Sequence, residues 1–237
     1  MRNILLILAS VAILASCSTQ KGVTRAKTYS QLYEEKPVSI LVLPPINRSV
    51  KVEAKELFYS SMAAPVSQFG YYVFPPLLTM EILKEESAYD SELFLDASMK
   101  RVGEAFGADA VLFTIIHDWR KTAIAAQMSV KVEYILKSTK TDAVLFNRVG
   151  YVNISFIEGS GNPFAMLLTT VLNTVMTKEI VGGRACNYYT LSDLPRGKYH
   201  PFYGKDSEII AQPKEFNGTL SVQQAQSAAN ASASAVR

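Results

Sequence analysis

The distribution of apolar residues along the chain predicts an α/β arrangement for its central part. Three segments are apolar at nearly every position, which is typical of strands buried on both faces. They are separated by segments whose apolar residues lie three and four positions apart, as on one face of a helix. The predicted elements are, in order, a strand at residues 38–43, a helix at 53–69, a strand at 71–74, helices at 77–86 and 97–106, and a strand at 108–119. Pro65 predicts a kink or an early break in the first helix.

The pattern changes in the second half of the chain. Residues 129–136 alternate strictly between apolar and polar, and a turn-forming stretch at 138–142 leads into another strand-like run at 143–156. We expect an antiparallel hairpin with one dry face. Residues 164–180 have helical spacing and are expected to pack on the core, with a partner-facing role as the alternative. The predicted fold class is therefore α/β, with a mixed sheet and flanking helices, in a domain of residues 37–187.

The chain begins with the layout of a secretory signal. Arg2 supplies a positive start, residues 4–14 an apolar run, and Ala15 and Ser16 the small residues that a signal peptidase accepts. The run is too short to span a bilayer, which needs roughly 20 apolar residues. We therefore expect residues 1–16 to be removed as a signal peptide.

The sequence Leu-Ala-Ser-Cys at residues 14–17 resembles the lipobox of bacterial lipoproteins. The resemblance implies that acyl chains such as palmitate are attached at Cys17 and anchor the mature chain in a membrane. An ordinary signal peptide followed by a chance cysteine is the alternative. In this class of lipoproteins Ser18, in place of an aspartate, implies the outer membrane. The lack of an acidic cluster after Cys17 favours the periplasmic face over the cell surface.

Three segments lie outside the predicted domain. Residues 17–36 are polar and are expected to be a tether that lifts the domain off the bilayer. Residues 188–217 are rich in aromatic residues and proline but have no helical or strand period, so we expect an extended segment wrapped over the domain. Residues 218–237 are of low complexity and are expected to be disordered.

Composition limits the classes of function. Of the 237 residues 49% are hydrophobic and 19% charged, which is enough apolar material for a sizeable core and too little charge for a disordered chain. The formal net charge is only +3, and no basic run is interleaved with aromatic residues. We therefore expect no nucleic-acid partner.

The residues that perform catalysis or bind metals are few and scattered. His117 and His200 lie on different predicted elements, and His117 is expected to be structural, bonded to the backbone or to Asp118. Cys186 has no intramolecular partner once Cys17 is lipidated, and we expect a small buried apolar residue there, with an intermolecular disulfide as the alternative. No metal-ligand spacing or nucleophile motif is present, and the Gly-Ser-Gly at 159–161 indicates a turn. We expect no enzyme and no cofactor.

Two groups of residues are candidates for binding. Pro44, Pro45, Asn47, Pro75 and Pro76 follow two predicted strands, whose ends share an edge if the strands are parallel. Strand termination by proline explains them equally well. The second group comprises Tyr188, Tyr189, Tyr199, Phe202 and Tyr203, with Arg196 and Lys198 nearby. These aromatic residues either cover the core or anchor an interface.

Three segments, at residues 40–54, 69–76 and 104–119, resemble a bacterial family of lipoproteins of unknown function, the meningococcal surface-antigen type. The resemblance extends over about residues 37–187. It implies a fold like the amino-terminal domain of TolB and a neighbouring lipoprotein similar to CsgG, the curli secretion-channel protein. It implies no catalytic residues.

The favoured hypothesis is a non-enzymatic subunit of an outer-membrane assembly or secretion complex that acts through protein contacts. Its expected partners are the membrane, other envelope lipoproteins of the CsgG-like kind, and a second copy of the chain. The alternative is a periplasmic solute- or glycan-binding lipoprotein that works alone. A deep polar pocket would support the alternative, whereas a flat apolar patch would support the first hypothesis.

Overall fold

A single mixed sheet forms the centre of the protein in the computed structural model, which describes residues 22–85, 89–122, 127–156 and 179–234. The strands in these ranges are β1 (Ser39–Val42), β2 (Ile46–Asn47), β3 (Tyr72–Val73), β4 (Ala110–Thr122), β5 (Gln127–Ser138), β6 (Val144–Ser155) and β7 (Glu215–Ser221). They are arranged in the order β3-β1-β4-β5-β6-β7, and β2 also pairs with β4. Strands β1, β2, β3 and β4 are parallel, β5 is antiparallel to both β4 and β6, and β7 is parallel to β6.

Helices cover the sheet. The α-helices are α1 (Arg25–Thr28), α2 (Ser30–Glu35), α3 (Ala54–Tyr59), α4 (Ala63–Gln68), α5 (Pro76–Glu85), α6 (Lys100–Phe106), α7 (Ile180–Leu191) and α8 (Val222–Ala233), with a 3-10 helix at Ser91–Phe94. Among the residues that the structure describes, no helix is long and apolar enough to cross a bilayer. The mixed sheet with flanking helices confirms the predicted fold class.

The sheet separates two apolar cores. On one face Phe58 of α3 packs edge-on against Trp119 of β4, with ring centroids 6.0 Å apart, and Tyr134 of β5 is fully buried beside them. On the other face Leu83 of α5 and Met99 pack against Leu41, Leu43, Val111 and Phe113. Continuous apolar runs in β1 and β4 thus serve both cores, whereas β5 alternates because one of its faces is only half-buried.

The predicted helix at residues 53–69 is divided in two. It breaks between Tyr59 and Ala63, and Pro65 lies in the first turn of α4, where a proline costs the helix least. The prediction of an early break is thereby confirmed. The predictions for residues 1–16, Cys17, the Gly-Ser-Gly at 159–161 and most of the helix at 164–180 lie outside the described residues.

The folded part of the chain extends beyond both ends of the predicted domain of residues 37–187. From Thr24 onward the expected tether is folded as α1 and α2, and Arg25 is buried. The expected disordered tail instead forms β7 and α8, and Ser221 and Gln224 make a reciprocal capping box at the start of that helix. The buried face of α8 consists of Ala225, Ala228, Ala229 and Ser232. A helix whose buried face consists of alanine and serine has the same composition as a low-complexity segment, which explains the wrong prediction.

The expected extended segment begins later than predicted. Residues up to Leu191 belong to α7, so Tyr188 and Tyr189 are helical, and the irregular wrapping segment starts at Ser192. The face of α7 toward the sheet contains Gly182, Gly183, Ala185 and Cys186. The only large apolar side chains that α7 buries are Val181 and Leu191, ten positions apart, so its last turn shows no helical period in the sequence.

Candidate functional site

The carboxyl ends of β1 and β3 meet at one edge of the sheet. The two strands are parallel neighbours, which places Pro44–Pro45 and Pro75–Pro76 together as expected. The hydroxyl group of Tyr59 lies 3.1 Å from the carbonyl oxygen of Val42 and 2.9 Å from that of Pro76, so it ties the two strand ends together.

Most of the residues predicted to bind a partner at this edge have structural roles instead. Pro44 and Pro45 are buried, and Pro76 is the first residue of α5, a position that favours proline. Asn47 closes its own loop, since its side-chain amide donates to the carbonyl oxygen of Lys51 (2.7 Å) and its oxygen accepts from the amide of Ser49 (3.0 Å). Pro75 alone of the five is exposed.

Apolar side chains beside these prolines are exposed. They are Val50, Val52, Leu77, Leu78 and Leu93, with exposed fractions of 83, 80, 66, 54 and 69%. An ion pair of 2.7 Å between Arg48 and Glu92 holds the segment with Leu93 beside the loop with Val50. We call these five residues the carboxyl-edge surface. Val50 also stands between two open depressions of about 490 and 420 Å³ that extend along β4.

The second predicted group contains a turn at the opposite edge. Residues 197–205, here called the aromatic turn, are bonded to the chain just before β3: the amide of Gly197 donates to Phe69 (2.7 Å), and that of Tyr199 to Gly70 (3.0 Å). These bonds place the turn at the amino ends of the parallel strands. Tyr199, Phe202 and Tyr203 are exposed by 65, 62 and 41%. Nδ1 of His200 accepts the amide of Phe202 at 3.0 Å, which fixes the turn from within.

A buried ionic network holds the aromatic turn in place. Arg25 donates through Nε to Asp193 (2.8 Å) and lies 3.4 Å from Asp206, and all three residues are buried. Tyr29 donates its hydroxyl proton to Asp193 (2.7 Å), and the amide of Arg196 donates to Asp206 (2.9 Å). Burial, followed by the hydrogen bond to Asp193, raises the pKa of Tyr29 well above its ordinary value. The network links α1 to both ends of the turn.

A small, partly open cavity lies behind the turn. Its volume is about 110 Å³, and Leu32, Tyr71, Arg196 and Tyr203 are among its lining residues. Ligand pockets for small molecules usually measure roughly 300–1,000 Å³. The guanidinium group of Arg196 also lies over the ring of Phe69, 4.5 Å from its centroid. The cavity is therefore mainly apolar packing space, with the two basic residues Lys36 and Arg196 in its lining.

The other candidate residues are distributed elsewhere. Tyr188 is 43% exposed on α7, whereas Tyr189 stacks on Phe216 with centroids 4.9 Å apart and covers the core. Nε2 of His117 lies 3.0 Å from Glu133 across the β4–β5 pair, so the partner of this imidazole is Glu133 and not the expected Asp118. Cys186 is fully buried against β6, and burial raises the pKa of its thiol to about 11. Within the described ranges, no group of three or more His, Cys, Asp or Glu side chains could hold a metal ion.

Comparison with known proteins identifies the family. The sequence model described as "Putative lipoprotein GNA1162-like" matches residues 27–189, which is more than half of the chain. The chain belongs to the GNA1162-like lipoprotein family. The match confirms the resemblance drawn from the three segments around β1, β3 and β4. It runs from α1 to α7, so the two elements at the carboxyl end, β7 and α8, lie beyond it.

Individual members and solved structures are also similar to the chain. A relative named "Putative lipoprotein NMB1124/NMB1162", from Neisseria meningitidis serogroup B, is 29% identical over 180 residues, which are 75% of this chain and 81% of the relative. The crystal structure of lipoprotein GNA1162 from N. meningitidis aligns with a TM-score of 0.48 and 26% identity, over 59% of this chain and 98% of that chain. The PelC dodecamer from Paraburkholderia phytofirmans aligns with a TM-score of 0.37 and 14% identity, over 62% and 89%.

Proposed function

We propose that the protein is a non-enzymatic outer-membrane lipoprotein, anchored through Cys17 with its domain on the periplasmic face. In this proposal it is an accessory subunit of a secretion or assembly complex that contains a CsgG-like lipoprotein, and it acts through protein contacts. The observation that carries the proposal is the carboxyl-edge surface, because five exposed apolar side chains at one edge of a lipoprotein domain suit contact with another protein.

The geometry disfavours the alternative of a solute- or glycan-binding protein that works alone. The cavity behind the aromatic turn, at about 110 Å³, is too small for most solutes, and the larger depressions beside Val50 are open to solvent. Open, partly apolar depressions suit a protein partner better than a small ligand, because a small ligand needs most of its own surface buried.

Crosslinking and pull-down of the full-length protein from native membranes tests the proposal. We expect an outer-membrane lipoprotein partner to be recovered in stoichiometric amount with the wild-type chain and lost with Cys17→Ala. The double variant Val52→Asp/Leu93→Asp should lose the partner but keep its membrane association. Thr219→Asp, on an exposed position of β7, serves as the matched control and should keep both. A wild-type protein recovered alone, or only with itself, would contradict the proposal.

A further inference from the structure

We infer that the aromatic turn at residues 197–205 is a lipid-contacting surface that rests on the phospholipid bilayer beside the anchor and orients the domain. The inference rests on the proposed lipidation of Cys17. Its occupant is the headgroup region of a bilayer, and the observations that support it are the length of chain before the fold begins, the place where the fold begins, and the chemistry of the turn.

The first observation is that little chain separates the anchor from the fold. The amide of Ala211 donates to the carbonyl oxygen of Val23 (2.9 Å), and Thr24 pairs with Ile210, so the backbone is fixed to the fold from residue 23. Six peptide steps join Cys17 to Val23. Fully extended, they reach at most about 22 Å, whereas a tether up to residue 36 would reach roughly 70 Å. The surface around Val23 must therefore stay close to the lipid.

The second observation is that the chain enters the fold next to the aromatic turn. The amide of Arg25 donates to the carbonyl oxygen of Ile209 (2.8 Å), and Asp206 is shared between Arg25 and the amide of Arg196. Val23 and Ile209 are each 50% exposed at this point. The turn and the entry of the chain thus form one face, at the amino ends of the parallel strands.

The third observation is the chemistry of that face. Tyr199, Phe202 and Tyr203 are exposed, and tyrosine side chains favour the interface between headgroups and hydrocarbon. Residues 194–205 contain Arg196, Lys198 and Lys205 but no acidic residue; beyond them Asp206 is buried, and Glu208 beside Ile209 is the exposed acidic residue of this segment. Basic side chains among exposed aromatic residues match the anionic headgroups of a phospholipid surface. From the sequence alone, these aromatic residues could either cover the core or form an interface. The exposure of the three rings excludes the first possibility.

The arrangement also makes the surface stiff. The buried contacts of Arg25 with Asp193 and Asp206 fix both ends of the turn, so its rings are held outward without ordering a loop on binding. Contact with the bilayer at this edge would direct the carboxyl-edge surface away from the membrane, since the two lie at opposite ends of β1 and β3. The proposed partner surface would then face the periplasm.

The test uses the lipidated full chain in vesicles of phosphatidylethanolamine and phosphatidylglycerol. A fluorophore is attached to Phe202→Cys or, as the matched control at the opposite edge, to Leu93→Cys, both at exposed positions. Cys186 stays unlabelled because it is fully buried with a raised pKa, and the thiol of Cys17 carries lipid. Nitroxide-labelled headgroups should quench the probe at 202 at least about fivefold more than the probe at 93, because quenching requires contact at the interface.

The outcomes separate this inference from the proposed function. Flotation with the vesicles together with selective quenching at residue 202 supports the lipid contact and the lipid anchor at Cys17. Flotation with equal quenching at 202 and 93, or with none at 202, overturns the lipid contact and leaves the anchored lipoprotein standing. In native membranes, a probe at 202 that is shielded from aqueous quenchers but not quenched by lipid would place a protein on the turn and overturn the inference. Failure of the wild-type chain to float overturns both.

Discussion

At the scale of single residues, Asp109 secures the start of two neighbouring strands. Its Oδ2 atom accepts the amides of Val38 (3.0 Å) and Ser39 (3.1 Å) and the hydroxyl of Ser39 (3.0 Å). Burial alone would raise the pKa of this carboxyl group, but these donors and the Lys140 ammonium group outweigh it, and the net pKa lies below the ordinary value. The ionised carboxylate is therefore the form that the fold stabilises.

We expect Asp109→Asn to lower the free energy of unfolding by about 1–3 kcal/mol at pH 7, because a neutral amide oxygen accepts these three hydrogen bonds more weakly than the charged carboxylate and loses the ion pair with Lys140. A lowered pKa in the folded state contributes stability above the unfolded value of about 3.9, and that contribution is lost as the pH falls through the folded pKa. The difference between wild type and variant should therefore shrink between pH 7 and pH 3 in urea unfolding. An unchanged difference across that range would contradict this role.

At the scale of elements, α7 approaches the sheet more closely than an ordinary helix could. A Cβ atom on Gly183 would lie 2.6 Å from Trp119 and 3.2 Å from Phe58, and one on Gly150 of β6 would collide with Thr190. Glycine on both sides of the contact lets the helix and sheet backbones approach each other. The last turn of α7, residues 188–191, differs from the expected extended segment, because Leu191 is its one buried apolar residue and no helical period is visible there.

Gly183→Ala tests that close approach, because the sign of the change in the free energy of unfolding depends on it. Alanine in a helix interior normally gains up to about 1 kcal/mol over glycine. Here the added methyl group must displace the buried ring of Trp119, so we expect a loss of about 1–3 kcal/mol in the free energy of unfolding. Denaturant midpoints of the two proteins measure it. A gain in stability would show that α7 can move away from β4 without cost.

Large apolar residues made much of this fold predictable. The runs in β1 and β4 and the alternation in β5 and β6 identified the sheet, and the parallel β1–β3 pair placed the two proline pairs at one edge. Local pattern could not predict which of those prolines is buried. It also missed the contact between Arg25 and Asp193, which joins residues 168 positions apart and made a polar stretch part of the core. The last turn of α7 and the whole of α8 could not be predicted as helical, because few large apolar residues recur there at helical spacing.

At the scale of the whole molecule, β7 and α8 complete a fold whose family match ends at residue 189. β7 extends the sheet beside β6, and α8 packs on α7 in the larger core. The side-chain amide of Gln68 in α4 donates to the carbonyl oxygen of Ala231 at 2.6 Å, so α8 also contacts the first half of the chain. The last strand and helix are thus part of the folding unit, and not an appendage to it.

Removing residues 222–237 should therefore destabilise the entire protein. Ala225 and Ala229 are only 0 and 1% exposed, so the deletion uncovers the part of α7 that they face. It also removes the carbonyl oxygen that accepts the hydrogen bond from Gln68. From the apolar area uncovered we expect a loss of about 3 kcal/mol in the free energy of unfolding. Urea unfolding of the two chains measures it, and Ser227→Ala, at an exposed position of α8, is the control that should change little. If the deletion leaves the midpoint where it was, α8 contributes nothing to the core, and the carboxyl-terminal segment behaves as the disordered tail that its composition suggested.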